Sequence, residues 1–150
     1  MHRTATATPA VTQLAGLIKL MRPRQWIKNA FVLAPLIFSG EFAHLESIGK
    51  GLAAMLLFCV ASSLTYVFND IGDIERDRRH PVKSRTRPIA AGVVSLPLAW
   101  VLASVLIFVL ILGSFAAPAC ALVILAYLLL NVAYTLALKH QPVVDIFTIA

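Results

Sequence analysis

The sequence predicts an all-α membrane protein, a polytopic bundle of transmembrane helices. Hydrophobic residues make up 59% of the 150 positions and charged residues only 13%, with a mean hydropathy of +0.84. Soluble globular domains carry about 25% charged residues, so this chain has too few polar side chains to cover a water-soluble surface. Of its 13 basic and 7 acidic residues, ten lie within residues 70–87, and none lies within residues 88–138.

Four apolar stretches come close to or reach the ~20 residues needed to cross the hydrocarbon core of a bilayer. The predicted spans are residues 26–40, 51–69, 96–115 and 118–138. The first is short and contains Lys28, so it spans only if it tilts or if Lys28 faces a polar cavity. Residues 143–150 begin a fifth apolar run that cannot cross a bilayer alone, so we expect the sequence to be the front part of a longer protein.

The remaining segments are assigned by composition. Residues 1–16 are expected to form a disordered N-terminal tail, since Thr, Ala and Pro dominate its first part, and residues 17–150 the N-terminal part of a transmembrane domain. Cys59 and Cys120 lie inside apolar runs, where a thiol behaves as a small hydrophobe. Their positions indicate neither a disulfide framework nor a metal site.

The loop charges predict an orientation. Basic residues precede the first span, six more follow the second, and Lys139 follows the fourth, whereas the intervening loops carry little positive charge. The positive-inside rule therefore places the N-terminus, residues 70–87 and Lys139 in the cytoplasm, with the protein in the inner (plasma) membrane. Arg22 and Arg24 are expected to anchor in the headgroup region. The net charge of +6 is interpreted as a topology signal, and nucleic-acid binding is not expected.

Three aspartates follow the second span at positions i, i+3 and i+7, namely Asp70, Asp73 and Asp77. If the helix continues past the membrane, they share one face within about 60°, with Asn69 at its edge and Glu75 roughly opposite. Converging carboxylates repel one another unless a cation joins them, and all-oxygen ligation favours Mg²⁺, with Mn²⁺ as the alternative. The same charges are also compatible with salt-bridged, solvated residues that only set the topology.

Cationic side chains complement this acidic face. Lys83, Arg85 and Arg87 follow it in the same loop and are suited to phosphate oxygens. Lys28 is long enough to reach a cavity near the cytoplasmic face, and Tyr66 lies one turn before the first aspartate. Carboxylates beside cations at a membrane face suggest a site for a metal-bridged diphosphate.

These motifs resemble those of a known family. The pattern Asn69-Asp70-x-x-Asp73-x-x-x-Asp77 is similar to the NDxxDxxxD motif of the UbiA-type intramembrane prenyltransferase superfamily, and RPIAAG at residues 87–92 resembles its RP(I/L)xxG element. RPRQWIKN at residues 22–29 and the YxxxLK pattern at residues 134–139 resemble the decaprenyl-phosphate phosphoribosyltransferase branch.

The resemblance implies a bundle of about nine transmembrane helices around a cavity open to the cytoplasm, of which this chain holds about four spans and the start of a fifth. It implies that Asp70, Asp73 and Asp77 are catalytic and, with Asn69, bind Mg²⁺. The charges and the resemblance together give the candidate substrate-binding residues, which are Lys28, Tyr66, Lys83, Arg85, Arg87 and Lys139.

The implied activity is a Mg²⁺-dependent transfer of a 5-phosphoribosyl group from phosphoribosyl diphosphate to a polyprenyl (decaprenyl) phosphate, which makes a precursor of lipid-linked arabinose for the cell wall. In the aromatic-acceptor branch, the diphosphate is carried by the prenyl chain instead. A transporter or channel fragment is the alternative of another class, although transporters place polar groups near the bilayer midplane and this chain places them at one face. A homo-oligomer is left open.

Overall fold

The computed structural model describes residues 10–135, which contain helices and no strand. The α-helices are α1 (Ala10–Met21), α2 (Ala34–Phe38), α3 (Leu45–Gly72), α4 (Ile74–Arg79), α5 (Lys83–Thr86), α6 (Leu96–Ala116) and α7 (Pro118–Ala133). Two 3₁₀ segments, Pro23–Leu33 and Glu41–Ala43, lie on either side of α2. The all-α prediction is confirmed for the described part of the chain.

The long helix α3 lies at the centre, and α1, the first 3₁₀ segment, α6 and α7 all pack against it. Ala61, Leu64 and Val67 recur at helical spacing and are buried, so this part of α3 forms the core. Phe58 of α3 and Tyr127 of α7 meet edge to face with ring centroids 6.1 Å apart. The central helix therefore carries the site residues at its end on a well-packed support.

Among the described residues, α3 and α6 are the two helices long and apolar enough to cross a membrane. The outer surface of α6 is apolar and unburied, and Phe108 is 59% exposed, as lipid contact requires. The boundary between the third and fourth predicted spans is confirmed, because α6 ends at Ala116 and α7 begins at Pro118. The predicted fourth span is described as far as residue 135, and its remainder lies outside the described residues.

The predicted first span does not form an α-helix of spanning length. Residues 26–38 instead belong to the 3₁₀ segment Pro23–Leu33 and the five-residue helix α2, and residues 39–40 form a turn. Pro23 and Pro35 lie in the first turns of these two segments, where proline is tolerated, and Pro35 would interrupt a single helix running through both. Its polar side chains also bond to α3, as described below, so tertiary contacts decide its conformation.

The predicted N-terminal tail is too long. Helix α1 begins at Ala10, so residues 10–16 are helical rather than disordered, and residues 1–9 lie outside the described part. The cause is packing, because Gly16 and Leu20 are buried on the inner face of α1. The Thr-rich and Ala-rich composition of the first residues led to the prediction of disorder, although a short amphipathic helix begins at Ala10.

Gly16 allows α1 to pack closely against residues 93–94, and we expect Gly16→Ala to destabilise the complete protein by about 1–3 kcal/mol. A Cβ at this position would lie 2.7 Å from Val94 Cγ2 and 3.0 Å from Val93 Cγ1, and valine side chains are stiff. Gly49→Ala is the matched control, because a Cβ added at that glycine would meet no atom within 4 Å. Thermal unfolding in detergent checks this, and equal melting temperatures for both variants would contradict it.

Candidate functional site

The candidate site is built at the end of α3. Asp70 lies in its last turn and is 4% exposed, and Asp77 of α4 is 2% exposed. Between them, Asp73 has φ −97° and ψ 6°, and it separates α3 from α4. The backbone hydrogen bonds continue through the junction, from Asp73 N to Asn69 O and from Asp77 N to Asp73 O. Asp70 and Asp77, nearly two turns apart, therefore still approach each other.

Arg87 joins these two buried carboxylates. Its Nη1 donates a hydrogen bond to Asp70 Oδ1, and its Nε lies 3.9 Å from Asp77 Oδ2. Lys83 approaches the other oxygen of Asp77, with Nζ 3.5 Å from Oδ1. The structure therefore brings together four of the residues expected from the sequence: two acids and two cations.

A tight turn at residues 87–94 directs Arg87 back towards α3. Ala91 N donates to Arg87 O over 2.8 Å, and Gly92 has φ +74°, a conformation that side chains with a Cβ disfavour. Ile89 and Val94 are buried beside this turn and hold it against the core. The glycine and the two apolar residues of this segment thus account for the position of the arginine.

Arg22 reaches the same site from the other end of the chain, contrary to its expected role as a headgroup anchor. Its Nη2 donates to Asp70 Oδ1 over 2.6 Å, and its guanidinium carbon lies 4.3 Å from the ring centroid of Tyr66. Arg22 has φ 51°, a left-handed conformation that is unfavourable for a residue with a Cβ. Its contacts with Asp70 and Tyr66 stabilise this conformation, and Tyr66 is thereby placed beside the site.

Asp73 has a different environment. It forms a hydrogen-bonded ion pair with Arg76 and is more exposed than the other two aspartates. This hydrogen bond holds the pKa of Arg76 above its usual range. In the described part of the chain, no three His, Cys, Asp or Glu side chains are gathered closely enough to hold a metal ion. The three aspartates therefore do not all converge, because Asp73 pairs with Arg76 and is more exposed than Asp70 and Asp77.

The buried carboxylates nevertheless fit a hard divalent cation. Both Asp70 and Asp77 offer oxygen atoms, which Mg²⁺ prefers. Asp77 Oδ1 is buried and accepts no hydrogen bond from any described residue, and Lys83 Nζ lies 3.5 Å from it. A buried acceptor without a donor is energetically costly, and a cation would relieve that cost. Asp73 could join such a site only by leaving Arg76.

Asn69 points towards α7 rather than towards the carboxylates. Its Oδ1 accepts a hydrogen bond from Thr135 Oγ1 over 3.1 Å. As a metal ligand, Asn69 would have to exchange this bond. Thr135 was not among the residues expected from the sequence, because its partner lies 66 positions away.

The remaining candidates do not join this cluster. Lys28 lies on the exposed side of the 3₁₀ segment and Arg85 on the exposed side of α5. Lys139 lies outside the described residues. Neighbours of Lys28 face inward instead: Trp26 Nε1 donates to Ser63 Oγ over 3.0 Å, and Asn29 Nδ2 donates to Ser62 Oγ over 3.2 Å.

These bonds fix the 3₁₀ segment to α3, and the only sequence signal for them is a Ser-Ser pair inside an apolar span. Because the segment begins immediately after Arg22, its attachment also fixes the chain that carries this arginine.

Two of the cavities that adjoin the end of α3 are lined by Asp70 or by Asn69. The basic cleft has a volume of about 720 Å³ and is lined by Lys19, Arg22, Arg24, Asp70 and Arg87, together with Pro23, Gln25, Thr86 and Pro88. The apolar groove has a volume of about 440 Å³ and lies between α3, α6 and α7. Its walls are mostly apolar, and its polar groups are Thr65, Asn69, Asn131 and Thr135. The basic cleft, with its positive charge, is thus lined by Asp70, and the apolar groove is lined by the preceding residue, Asn69.

Comparisons with known proteins agree with these features. Residues 31–150 match the UbiA prenyltransferase family. Three relatives named decaprenyl-phosphate phosphoribosyltransferase are similar to the chain. The protein of Mycobacterium tuberculosis is 41% identical over 100% of this chain and 51% of its own length. The protein of Mycolicibacterium smegmatis is 44% identical over 94% of this chain and 46% of its own length. The protein of Corynebacterium glutamicum is 43% identical over 87% of this chain and 41% of its own length. The chain spans about half the length of these relatives.

Arg87 contacts two buried carboxylates, whereas its neighbour Arg85 is exposed. We therefore expect Arg87→Gln to destabilise the complete protein by about 2–3 kcal/mol. The substitution leaves two buried carboxylates with too little positive charge, a cost that partial exposure of the arginine reduces. Arg85→Gln removes an exposed charge and should change the stability by no more than about 0.5 kcal/mol. Chemical unfolding in detergent measures both, and similar losses for the two variants would contradict the joining role of Arg87.

Proposed function

The chain belongs to the UbiA prenyltransferase family, and from this premise we propose that the protein transfers a 5-phosphoribosyl group from phosphoribosyl diphosphate to a polyprenyl phosphate, decaprenyl phosphate in particular. The observation that carries this proposal is the pair Asp70 and Asp77, held by Arg87 at the end of a helix long enough to span a membrane. Identities of 41–44% to relatives named for this activity support the choice of donor and acceptor.

Both substrates suit the two cavities at the end of α3. The donor is small, anionic and water-soluble, and the carboxylates and cations beside the basic cleft offer it charged partners. The acceptor is a phosphate on a long apolar chain, and the apolar groove offers a surface that such a chain can contact without leaving lipid. A site between water and bilayer is what this pair of substrates requires.

The proposed cofactor is Mg²⁺, with Mn²⁺ as the alternative. Asp70 and Asp77 would hold it, joined by Asp73 if that side chain leaves Arg76, and Asn69 is the remaining candidate ligand. Mg²⁺ typically binds protein carboxylates together with substrate phosphates and water, so Asp70 and Asp77 begin the proposed site and Asp73 completes it when the cation displaces Arg76. When bound, the cation neutralises charge on a departing diphosphate.

The protein's own side chains contribute to the same step. Breaking the bond between ribose C1 and the diphosphate leaves an electron-poor carbon, which the phosphate oxygen of the acceptor attacks. Arg87 and Lys83 lie beside the carboxylates and would stabilise the negative charge that grows on the leaving group. Because these cations are already held by ion pairs, they need little reorganisation, which is the basis of electrostatic catalysis.

We also propose the cellular setting. The described helices would form the first part of a bundle of about nine spanning helices in the inner (plasma) membrane, with residues 70–87 in the cytoplasm. The positive-inside distribution of Lys and Arg supports this orientation. A cytoplasmic site gives access to a phosphorylated sugar donor, which does not cross a bilayer unaided.

Transfer from a labelled donor tests the proposed activity directly. The complete protein in detergent or nanodiscs should convert labelled phosphoribosyl diphosphate and decaprenyl phosphate into a lipid-extractable product. Chelation with EDTA should abolish the product, and Mg²⁺ should restore it, since the paired carboxylates need the cation to bind diphosphate. Transfer from a prenyl diphosphate to an aromatic acid, with none from the ribosyl donor, would move the protein to the other branch of the family.

The acidic residues differ in their expected effects. Asp70→Asn, Asp73→Asn and Asp77→Asn should each reduce turnover by about tenfold or more, because each removes a charged oxygen from the proposed metal site. Glu75→Gln is the control, since Glu75 is exposed and pairs with Arg78 away from the buried acids. Steady-state assays on purified variants decide this. Equal losses at all four positions would show that the charge of the whole segment matters, and not these aspartates.

A further inference from the structure

The basic cleft contains two cations that the proposed metal and leaving-group site does not use. Lys19 lies in the last turn of α1 and Arg24 in the 3₁₀ segment, and both side chains are exposed. Arg22 and Arg87 pair with Asp70, but neither Lys19 nor Arg24 forms an ion pair or side-chain hydrogen bond with another described residue. The cleft therefore has positive charge that no described carboxylate balances.

The charge and the shape of the cleft favour an anionic ligand. Among the described residues, four basic side chains line it, and Asp70 is the one acid. Like charges that line a concave surface reinforce one another and attract counter-ions more strongly than scattered surface charges do. Its volume of about 720 Å³ falls within the usual range of sites for small molecules.

We propose that the basic cleft is a phosphate-monoester subsite, in which Lys19 and Arg24 bind the 5-phosphate of the phosphoribosyl donor. This inference rests on the proposed function and deepens it, because it gives the donor two points of attachment. The diphosphate lies at Asp70 and Asp77, and the monoester lies a short distance away in the same cleft. Lys19 and Arg24 act in binding and take no part in the bond that breaks.

The acceptor phosphate is a poorer occupant of this cleft. The acceptor carries a long apolar chain, and among the described residues that line the cleft only Pro23 and Pro88 have wholly apolar side chains. The apolar groove beside Asn69 has the surface that such a chain needs. The two cavities therefore divide the substrates by polarity, with the doubly phosphorylated donor in the basic one.

A subsite for a monoester would also select the donor. A prenyl diphosphate has a diphosphate but no second phosphate, so it gains nothing from Lys19 or Arg24. Phosphoribosyl diphosphate can bind both regions at once, and linked contacts of this kind add strongly to affinity. The cleft then accounts for a preference between two donors that share the same leaving group.

Direct binding tests the subsite without turnover. The complete protein is placed in phosphatidylcholine nanodiscs, and the affinity for ribose 5-phosphate is measured by calorimetry, with ribose as the ligand that lacks phosphate. Lys19→Gln and Arg24→Gln should each weaken ribose 5-phosphate binding by about tenfold, the loss of one charge-assisted hydrogen bond. Binding of inorganic diphosphate with Mg²⁺ should change by less than threefold. Arg79→Gln is the matched control, because Arg79 is an exposed arginine outside the cleft.

Kinetics then identify the source of the phosphate. Both cleft variants should raise the KM for phosphoribosyl diphosphate and leave the KM for decaprenyl phosphate unchanged. A raised KM for the acceptor alone would overturn the assignment to the donor. If phosphatidylglycerol added to the nanodiscs competes with ribose 5-phosphate, the cleft binds a lipid headgroup and the assignment to the donor is also overturned. Unchanged binding in both variants would overturn the subsite itself.

The two proposals can fail separately. If the wild-type protein makes no ribosylated lipid but binds ribose 5-phosphate through Lys19 and Arg24, the proposed function is wrong and the monoester subsite stands. If the protein performs the transfer and both cleft variants behave like Arg79→Gln, the proposed function stands and the subsite is wrong.

Discussion

The arrangement of the site depends on one buried oxygen atom, Asp70 Oδ1. A carboxylate this deeply buried is costly unless cations compensate it. Arg22 and Arg87 both donate to this oxygen, from positions 48 and 17 residues away in the sequence. Pairing with Asp70 therefore fixes the end of α1, the start of the 3₁₀ segment and the turn at residues 87–94 around the end of α3.

Much of the fold could be predicted from local composition. Long apolar runs specify α3 and α6, and Pro118 ends one helix and begins the next, as expected. The stretch at residues 26–40 could not be predicted in this way, because its conformation depends on bonds from Trp26 and Asn29 to two serines of α3. Such contacts join residues more than 30 positions apart and leave little trace in hydropathy.

The candidate site shows the same division. Helical spacing correctly predicted that Asp70 and Asp77 approach each other, since seven residues make nearly two turns. It did not predict the ion pair between Asp73 and Arg76, in which Asp73 stays more exposed than the other two aspartates. The role of Arg22 was missed for a different reason. Its left-handed backbone and its place over Tyr66 follow from the folded arrangement, and positive charge near a membrane has a simpler explanation in topology.

The shared oxygen also has an evolutionary consequence. Because Arg22 and Arg87 donate to one atom, their contributions to the protein cannot be independent. A change at either arginine removes half of the compensation of a buried charge, whereas the same change beside a neutral residue at position 70 removes much less. The three positions are therefore epistatic, and mutational drift at any one of them is constrained by the other two. A lineage that replaces the acid removes the constraint that links the two arginines to each other.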